Sequence, residues 1–440
     1  MDAALLLCFI LPGIGLVQTA LMLMHAWEHR RYHASRRSTR LKAIPPLSVA
    51  LVAPCKGLDR NLRTNLQALF RQWYPQFELC FVVESEADPA VSVIQSLARE
   101  NPQIHHRIVI AGLAQDCGQK VHNLIKAAQA ILDQQSTPPD VLAFVDSDAG
   151  PHAEFLMRLM ERLVRGRRAV ATGYRWYVPA NSGWANRLLS AINNTIVGGM
   201  GPHGFNLVWG GAWAIRTDDF KKLGLPEAWR GSLSDDLVVS RLLRETGLRV
   251  GYEPNCLVNS TADFDWLKLV EFLRRQFVVV RVYAPLWWQF GFWTGLVGNL
   301  CFWGTFALAG CLAANEGPWA IPLAGGLLWY LAGAVRARLA ARIVRPFVVV
   351  SNVEYRSVAQ LNVWGWPLVS LATWLGIVSG AIGRTIVWRG IRYRLDSPRH
   401  TTILEHAGHV NLPDCGSSAS GTSSENGERL SHARTTTRAA

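Results

Sequence analysis

Asp146 and Asp148 stand two residues apart in VLAFVDSDAG (141–150), directly after an apolar run. Carboxylates at the mouth of a buried strand are costly unless something compensates them. A divalent cation sharing its remaining positions with phosphate oxygens would do so, because hard cations such as Mg2+ and Mn2+ take oxygen ligands. The alternative is that the two residues only cap a helix beginning near Pro151. A second acidic pair, Asp235 and Asp236, opens SDDLVVSRLL (234–243). Ser and Asp before an amphipathic run also fit a helix N-cap, and one aspartate can cap while the other reacts. Lys120, in GQKVHNL (118–124), offers a point charge for phosphate, or else a solvated residue at a helix start. Gly210 and Gly211, in VWGGAWAIR (208–216), either let backbone approach a ligand closely or mark a bulge in a strand. The glycine-rich VGGMGPHGFN (197–206) lacks the strand–loop–helix context of a phosphate cradle, and His203 within it is read as incidental.

Something must position these groups. Between residues 45 and 285 short β-branched apolar runs alternate with amphipathic ones. The pattern predicts strands over 47–54, 77–84, 106–112 and 141–146, and helices over 62–73, 90–100 and 121–132. Near-continuous apolar strands alternating with helices argue an α/β domain with a mostly parallel sheet covered on both faces. Ligands of such sheets bind beyond the carboxyl ends of the strands. The polar groups fall there: Pro54, Cys55 and Lys56 after the first strand, Glu84 to Asp88 after the second, Asp146 and Asp148 after the fourth.

The remaining composition points to a membrane. Half of the 440 residues are hydrophobic, 18% are charged, 18 are tryptophan, and the net charge is +13. Stretches 3–27, 285–315, 317–335 and 357–383 carry no Asp, Glu, Lys or Arg. About 20 apolar residues span a bilayer, so one N-terminal anchor and three further membrane segments are expected. The basic flank EHRRYHASRRSTR (28–40) places the following domain in the cytosol. Three C-terminal crossings would then strand the basic stretch GRTIVWRGIRYRLDSPRH (383–400) on the other side, unless one segment is re-entrant. Residues 336–356, with four arginines in the first ten, suit an interfacial helix. The organisation read from the chain is an anchor (1–28), an α/β domain (45–284), a membrane half (285–383), a basic interfacial segment (384–410) and a disordered tail (411–440). Eight scattered cysteines without a CxxC pair suit a reducing compartment. The basic excess lies beside apolar runs and matches lipid head groups rather than nucleic acid.

Seven pieces in order resemble family 2 glycosyltransferases of the GT-A fold, more closely their ceramide glucosyltransferase group in its plant-like and bacterial forms. They are APCKGLDRNLRTNLQALFRQWYP (from Ala53), FVVESEADPA (from Phe81), GQKVHNL, FVDSDAG (from Phe144), VWGGAWAIRTDDF (from Val208), SDDL and LRRQF (from Leu273). The resemblance implies a UDP-sugar donor, a lipid acceptor such as ceramide, and Mn2+ or Mg2+. It implies that Pro54, Lys56 and Glu84 hold the uridine, that Lys120 and Asn123 approach the nucleotide or donor sugar, and that Asp146 and Asp148 bind metal and diphosphate. Asp236 would be the catalytic base of an inverting transfer, with Asp235 its supporting neighbour. Relatives often carry Arg/Gln-x-x-Arg-Trp. Here Arg275 and Gln276 can face diphosphate or acceptor, but Val278 and Val279 occupy the Arg-Trp places. A hopanoid or other lipid acceptor, a processive polysaccharide synthase and a catalytically silent membrane scaffold are the alternatives.

Overall fold

The computed structural model describes residues 3–37, 41, 43–134, 137–165, 168–202 and 206–406. His203 and the tail from 411 lie outside them. The chain opens with helix α1 (Ala3–Arg37). An α/β domain follows: β1 (Val49–Pro54), α2 (Leu62–Phe70), β2 (Phe77–Val83), α3 (Pro89–Glu100), β3 (His106–Ile110), α4 (Gln119–Gln134), β4 (Val141–Val145) and α5 (Phe155–Arg165). Its second half holds β5 (Val170–Pro179), α6 (Trp184–Gly199), β6 (Ala212–Arg216), α7 (Thr217–Lys222), α8 (Leu225–Trp229), α9 (Asp235–Glu245), β7 (Val250–Ala262) and α10 (Trp266–Tyr283). Helices α11 (Pro285–Ala314), α12 (Ala320–Val344), α13 (Asn352–Trp364) and α14 (Trp366–Ser379) come next, then strands β8 (Thr385–Trp388), β9 (Ile391–Ser397) and β10 (His400–His406).

The seven-stranded sheet runs β3-β2-β1-β4-β6-β5-β7. Only β6 is antiparallel to its neighbours. Both faces are covered, as the strands' unbroken apolar character requires. Val49, Leu51 and Ala53 face a core built with α2, α3 and α5, while Ala50 and Val52 face another built with α4 and α9. Every residue of β4 is buried, and each buried Val, Leu or Phe contributes about 1.5–3 kcal/mol. Phe144 of β4 stacks on Trp213 of β6 at 4.3 Å between ring centres, pinning the antiparallel strand in register. From β1 the chain moves outward to β2 and β3, then returns on the other side as β4. The crevice at the carboxyl ends of β1 and β4 is therefore the switch point where such sheets bind ligands.

Helices α1, α11 and α12 are long and apolar enough to cross a bilayer. Gly15 of α1 admits the Trp329 ring of α12, which a Cβ there would meet at 2.2 Å, and the Trp329 indole N–H donates to Thr19 at 3.0 Å. The third expected C-terminal segment is broken: α13 and α14 meet at 85°. Residues 336–344 continue α12 instead of forming an interfacial helix of their own. Residues 385–406 form a three-stranded antiparallel sheet, because Ile391-Arg392-Tyr393-Arg394-Leu395 alternates with the period of a strand, apolar residues inward.

That small sheet brings the end of the described residues back to the α/β domain. Ile386, Ile391, Tyr393 and Leu395 join the same core as Val52 and Leu124, so the sheet lies on the α/β domain's side. Helix α11 leaves that side and α12 returns to it. The α13–α14 pair, bent by 85°, links α12 to that sheet. At its other end α1 runs on into the domain. The Tyr32 hydroxyl donates to the Tyr252 carbonyl, and Arg36 pairs with the buried Glu253.

Candidate active site

Four elements deliver one acidic cluster. Asp146 follows β4, Lys120 lies in the first turn of α4, Asp235 and Asp236 open α9, and Gly210 precedes β6. The Lys120 ammonium lies 2.7 Å from Asp146 Oδ1 and 3.3 Å from Asp235 Oδ1, and donates to the Gly210 carbonyl at 3.2 Å. Asp236 is held by three donors: the Gly210 N–H at 2.9 Å, the Ser234 hydroxyl at 2.6 Å and the Leu237 N–H at 2.8 Å. Ser234, not either aspartate, is the N-cap of α9, its hydroxyl accepting from the Leu237 N–H at 3.3 Å. Gly210 and Gly211 form a turn before β6 rather than a bulge within it. A Cβ on Gly210 would lie 2.6 Å from Asp235 Oδ2, and one on Gly211 would lie 2.3 Å from the Trp209 ring and 2.8 Å from Asp146 Oδ2. Gly210 makes room for Asp235, and Gly211 for the Trp209 ring and Asp146.

Arg175, projecting from β5, reaches Asp146 at 3.6 Å and Asp148 at 3.5 Å, and donates to the Tyr177 hydroxyl at 2.9 Å. Its guanidinium also lies over the Trp209 ring. Burial works to lower the Arg175 pKa, but Tyr177, Asp148 and Asp146 outweigh it and raise it. Burial likewise opposes the charge on Lys120, yet Asp146, Asp235 and Asp236 hold it firmly protonated. Asp148 is pushed up by burial against the pull of Arg175. Burial lifts Asp235 to about 7, with Lys120 opposing and Asp236 adding to the rise.

The pair Asp146 and Asp148 fits a divalent cation. Asp148 Oδ1 is buried without a hydrogen-bond partner, and a hard cation is the partner an orphaned carboxylate oxygen takes. No third His, Cys, Asp or Glu gathers there among the described residues. A cation held by two carboxylates leaves its other positions for phosphate oxygens and water.

Two cavities meet at this cluster. A polar cleft of about 480 Å3 runs over the ends of β1 and β4, and Pro54, Lys56, Asn123 and Asp148 line it. A cavity of about 840 Å3 opens on the other side, with Asp235, Asp236, Val279, Trp287 and Phe290 in its wall. Leu21, Met22, Ile196 and Val280 add to its apolar wall, and it reaches α1 and α11. Lys120, Asp146, Arg175, Arg275, Gln276 and Trp388 line both. The arrangement can hold a phosphorylated, water-soluble molecule on one side and an apolar one on the other, with carboxylates at the junction.

Of the residues singled out in the sequence, Pro54, Lys56, Lys120, Asn123, Asp146, Asp148, Arg275 and Gln276 line the polar cleft, and Asp235 and Asp236 line the apolar cavity. Glu84 is not in the wall. It acts through Lys56, whose ammonium it holds at 2.6 Å. Asn123 accepts from Gln119 at 2.8 Å. Arg175, Tyr177, Trp388 and Arg389 also line the cleft and were not among those residues. Arg175 and Tyr177 sit in GYRWYVP, where an arginine inside an aromatic strand was the available signal. Trp388 and Arg389 were assigned to the head-group level, but the small sheet carries them into the cleft. Arg389 clamps Asp59 with two bonds of 2.8 and 2.9 Å and donates to the Lys56 carbonyl at 3.0 Å. Arg275 lies over Trp388 and Phe272. Where α10 offers Val278 and Val279, the tryptophan and arginine beside the cleft come from the far end of the chain.

A mostly parallel sheet of this order, with paired carboxylates at its switch point and membrane helices against its catalytic edge, is that of a membrane-bound glycosyltransferase of the GT-A class. The chain belongs to glycosyl transferase family 21, whose family model matches residues 7–401. It is 37% identical over 82 residues to ceramide glucosyltransferase 1 of Caenorhabditis elegans, covering 19% of this chain and 18% of that protein. Ceramide glucosyltransferase 3 of the same organism matches over 130 residues at 26% identity, 29% of this chain and 28% of that one. The chain thus spans less than a third of the length of these curated relatives. Among solved structures, a mannosyltransferase from Pyrobaculum calidifontis in complex with GDP-Man and Mn2+ is similar at 13% identity and a TM-score of 0.45, over 84% of this chain and 97% of that one.

Proposed function

We propose that this enzyme moves a hexose, glucose before others, from a UDP-sugar to a lipid hydroxyl such as that of ceramide, with inversion at the anomeric carbon. The observation that carries the reading is the junction of the polar cleft with the apolar cavity at Lys120, Asp146 and Arg175. A water-soluble donor and a bilayer-borne acceptor need such a meeting point. On the donor side, Pro54 and the Lys56–Glu84 pair receive the uridine, and Lys120 and Arg175 balance diphosphate charge. Asp146 and Asp148 would hold Mn2+ or Mg2+, which supplies charge neutralisation for the departing UDP. On the acceptor side, Asp236 is the base. Its carboxylate takes the acceptor's proton as the hydroxyl oxygen attacks the anomeric carbon and the bond to UDP breaks. The Gly210 and Ser234 bonds aim that carboxylate, and Asp235 tunes the charge around Lys120. The chain's basic flanks support a cytosolic face for the catalytic domain, an integral membrane protein drawing its donor from that side.

The test is Asp236→Asn in the full-length protein. Transfer is expected to fall by at least a thousandfold, while UDP binding with Mn2+, read by calorimetry, stays within a few-fold of wild type. Full transfer by the variant sinks the base assignment. Products from a panel of UDP-sugars and lipid extracts, read by mass spectrometry, decide sugar and acceptor. A single added hexose is expected, and long chains would indicate a polysaccharide synthase.

A further inference from the structure

A third cavity, of about 340 Å3, lies within the membrane half, walled by α1, α6, α11, α12, α13 and α14. Arg336 of α12 is in its wall with Gln18, His25, Asn194 and Asn299. Arg336 has no hydrogen bond or ion pair among the described residues, and no carboxylate lines the cavity. An ionisable side chain on a membrane-spanning helix that lines a cavity between helices, with no counter-charge beside it, marks a candidate site. The protein has little to offer it. Between residues 285 and 383 the only acids are Glu316 and Glu354. Glu354 is committed to the capping box of α13, and Glu316 follows the opposite end of α11.

Depth identifies the source of the missing charge. Arg336 lies sixteen residues beyond Ala320, which opens α12, or about 24 Å along the helix at 1.5 Å per residue. Against a hydrocarbon thickness of about 30 Å, that is near the boundary on the catalytic domain's side. Phospholipid phosphates sit at that level. A guanidinium takes phosphate with paired N–H donors, and the amides of Gln18, Asn194 and Asn299 add polar lining. Most of the remaining wall is apolar, including Phe302, Trp329 and Trp374, which suits the acyl stems below a head group.

We infer that this cavity is a second lipid site, which holds the phosphate of an anionic phospholipid from the leaflet facing the catalytic domain, with Arg336 as its counter-charge. Met22, His25 and Gly199 line both this cavity and the apolar one at the active site, so an occupant would stiffen their common wall. Binding here does not depend on which sugar or acceptor the enzyme uses.

Thermal unfolding of the full-length protein in neutral detergent tests it, with phosphatidylglycerol, phosphatidylcholine or inorganic phosphate added. Phosphatidylglycerol is expected to raise the midpoint by about 5 °C, as a ligand selective for the folded state does, and phosphatidylcholine by much less. Arg336→Gln should abolish the difference and Arg336→Lys should keep most of it. Arg338→Gln, an exposed arginine on the same helix, should leave it intact. Ala340→Met, which keeps the arginine but fills the cavity, should lose it, and this keeps the test decisive if Arg336→Gln does not fold. Equal response to the two phospholipids, or an unchanged response in Arg336→Gln or Ala340→Met, overturns the proposal. Inorganic phosphate matching phosphatidylglycerol would overturn the lipid source and assign the site to a soluble phosphate.

Discussion

Lys120 holds Asp146 at 2.7 Å, which ties the first turn of α4 to the end of β4 across the switch point of the sheet. The same ammonium reaches Asp235, so one cation balances carboxylates from both cavities. Lys120→Met should lower stability by about 3–5 kcal/mol, the cost of stranding a largely buried charge. Adding Asp146→Asn should recover part of that loss, so the double variant is more stable than the sum of the singles predicts. Urea unfolding in detergent reads both.

Gly210→Ala places a methyl group 2.6 Å from Asp235 Oδ2 and 3.0 Å from Lys120 Nζ. The site must spread to admit it. Transfer is expected to drop by about a hundredfold, in line with the cost of small misplacements in a catalytic site. The far-ultraviolet circular dichroism spectrum should be unchanged, because the turn is local. Wild-type turnover in this variant would mean that the tight fit around Gly210 has no catalytic use.

Arg389 and Asp59 join the C-terminal sheet to the loop after β1 through a two-bond clamp. The pair closes the polar cleft, not the apolar cavity. Arg389→Ala should therefore raise KM for the sugar donor by about tenfold, with KM for the lipid acceptor nearly unchanged. Asp59→Ala should do the same. Because the two share one interaction, the double variant should be little worse than either single. Steady-state kinetics with each substrate varied separately decides.

Asp235 gives the metal-free protein a pH signature. Folded, it keeps its proton up to about 7, while in the unfolded chain it releases it near the ordinary value of about 3.9. Between those limits the folded state binds more protons, so stability falls as pH rises and the fall is complete above 7. Asp235→Asn should flatten that part of the profile. Thermal midpoints from pH 4 to 8 in the presence of a chelator measure it. A wild-type profile that climbs through this window would contradict the assignment.

Much of the α/β half was legible in order along the chain. The runs at 47–54, 77–84 and 141–146 declared themselves as strands, because a strand buried on both faces has few polar positions to spare, and the run at 106–112 did so more weakly, as the sheet's edge strand with a polar start. Asp146, Asp148 and the Asp235–Asp236 pair were equally plain, since carboxylates beside apolar runs demand a compensating partner. The sequence by itself therefore determined the repeating elements, the acidic groups and the presence of membrane segments. Only the tertiary structure decided what stands opposite what. Arg175 is one charge in an aromatic strand until β5 lies alongside β6 and turns it toward Asp146. Trp388 and Arg389 look like head-group residues until Ile391, Tyr393 and Leu395 draw their sheet into the core. The 85° break between α13 and α14 was equally invisible in an uncharged run. Local sequence fixes the period of an element and what it must bury, whereas contacts between residues more than three hundred positions apart depend on how those buried faces close on one another.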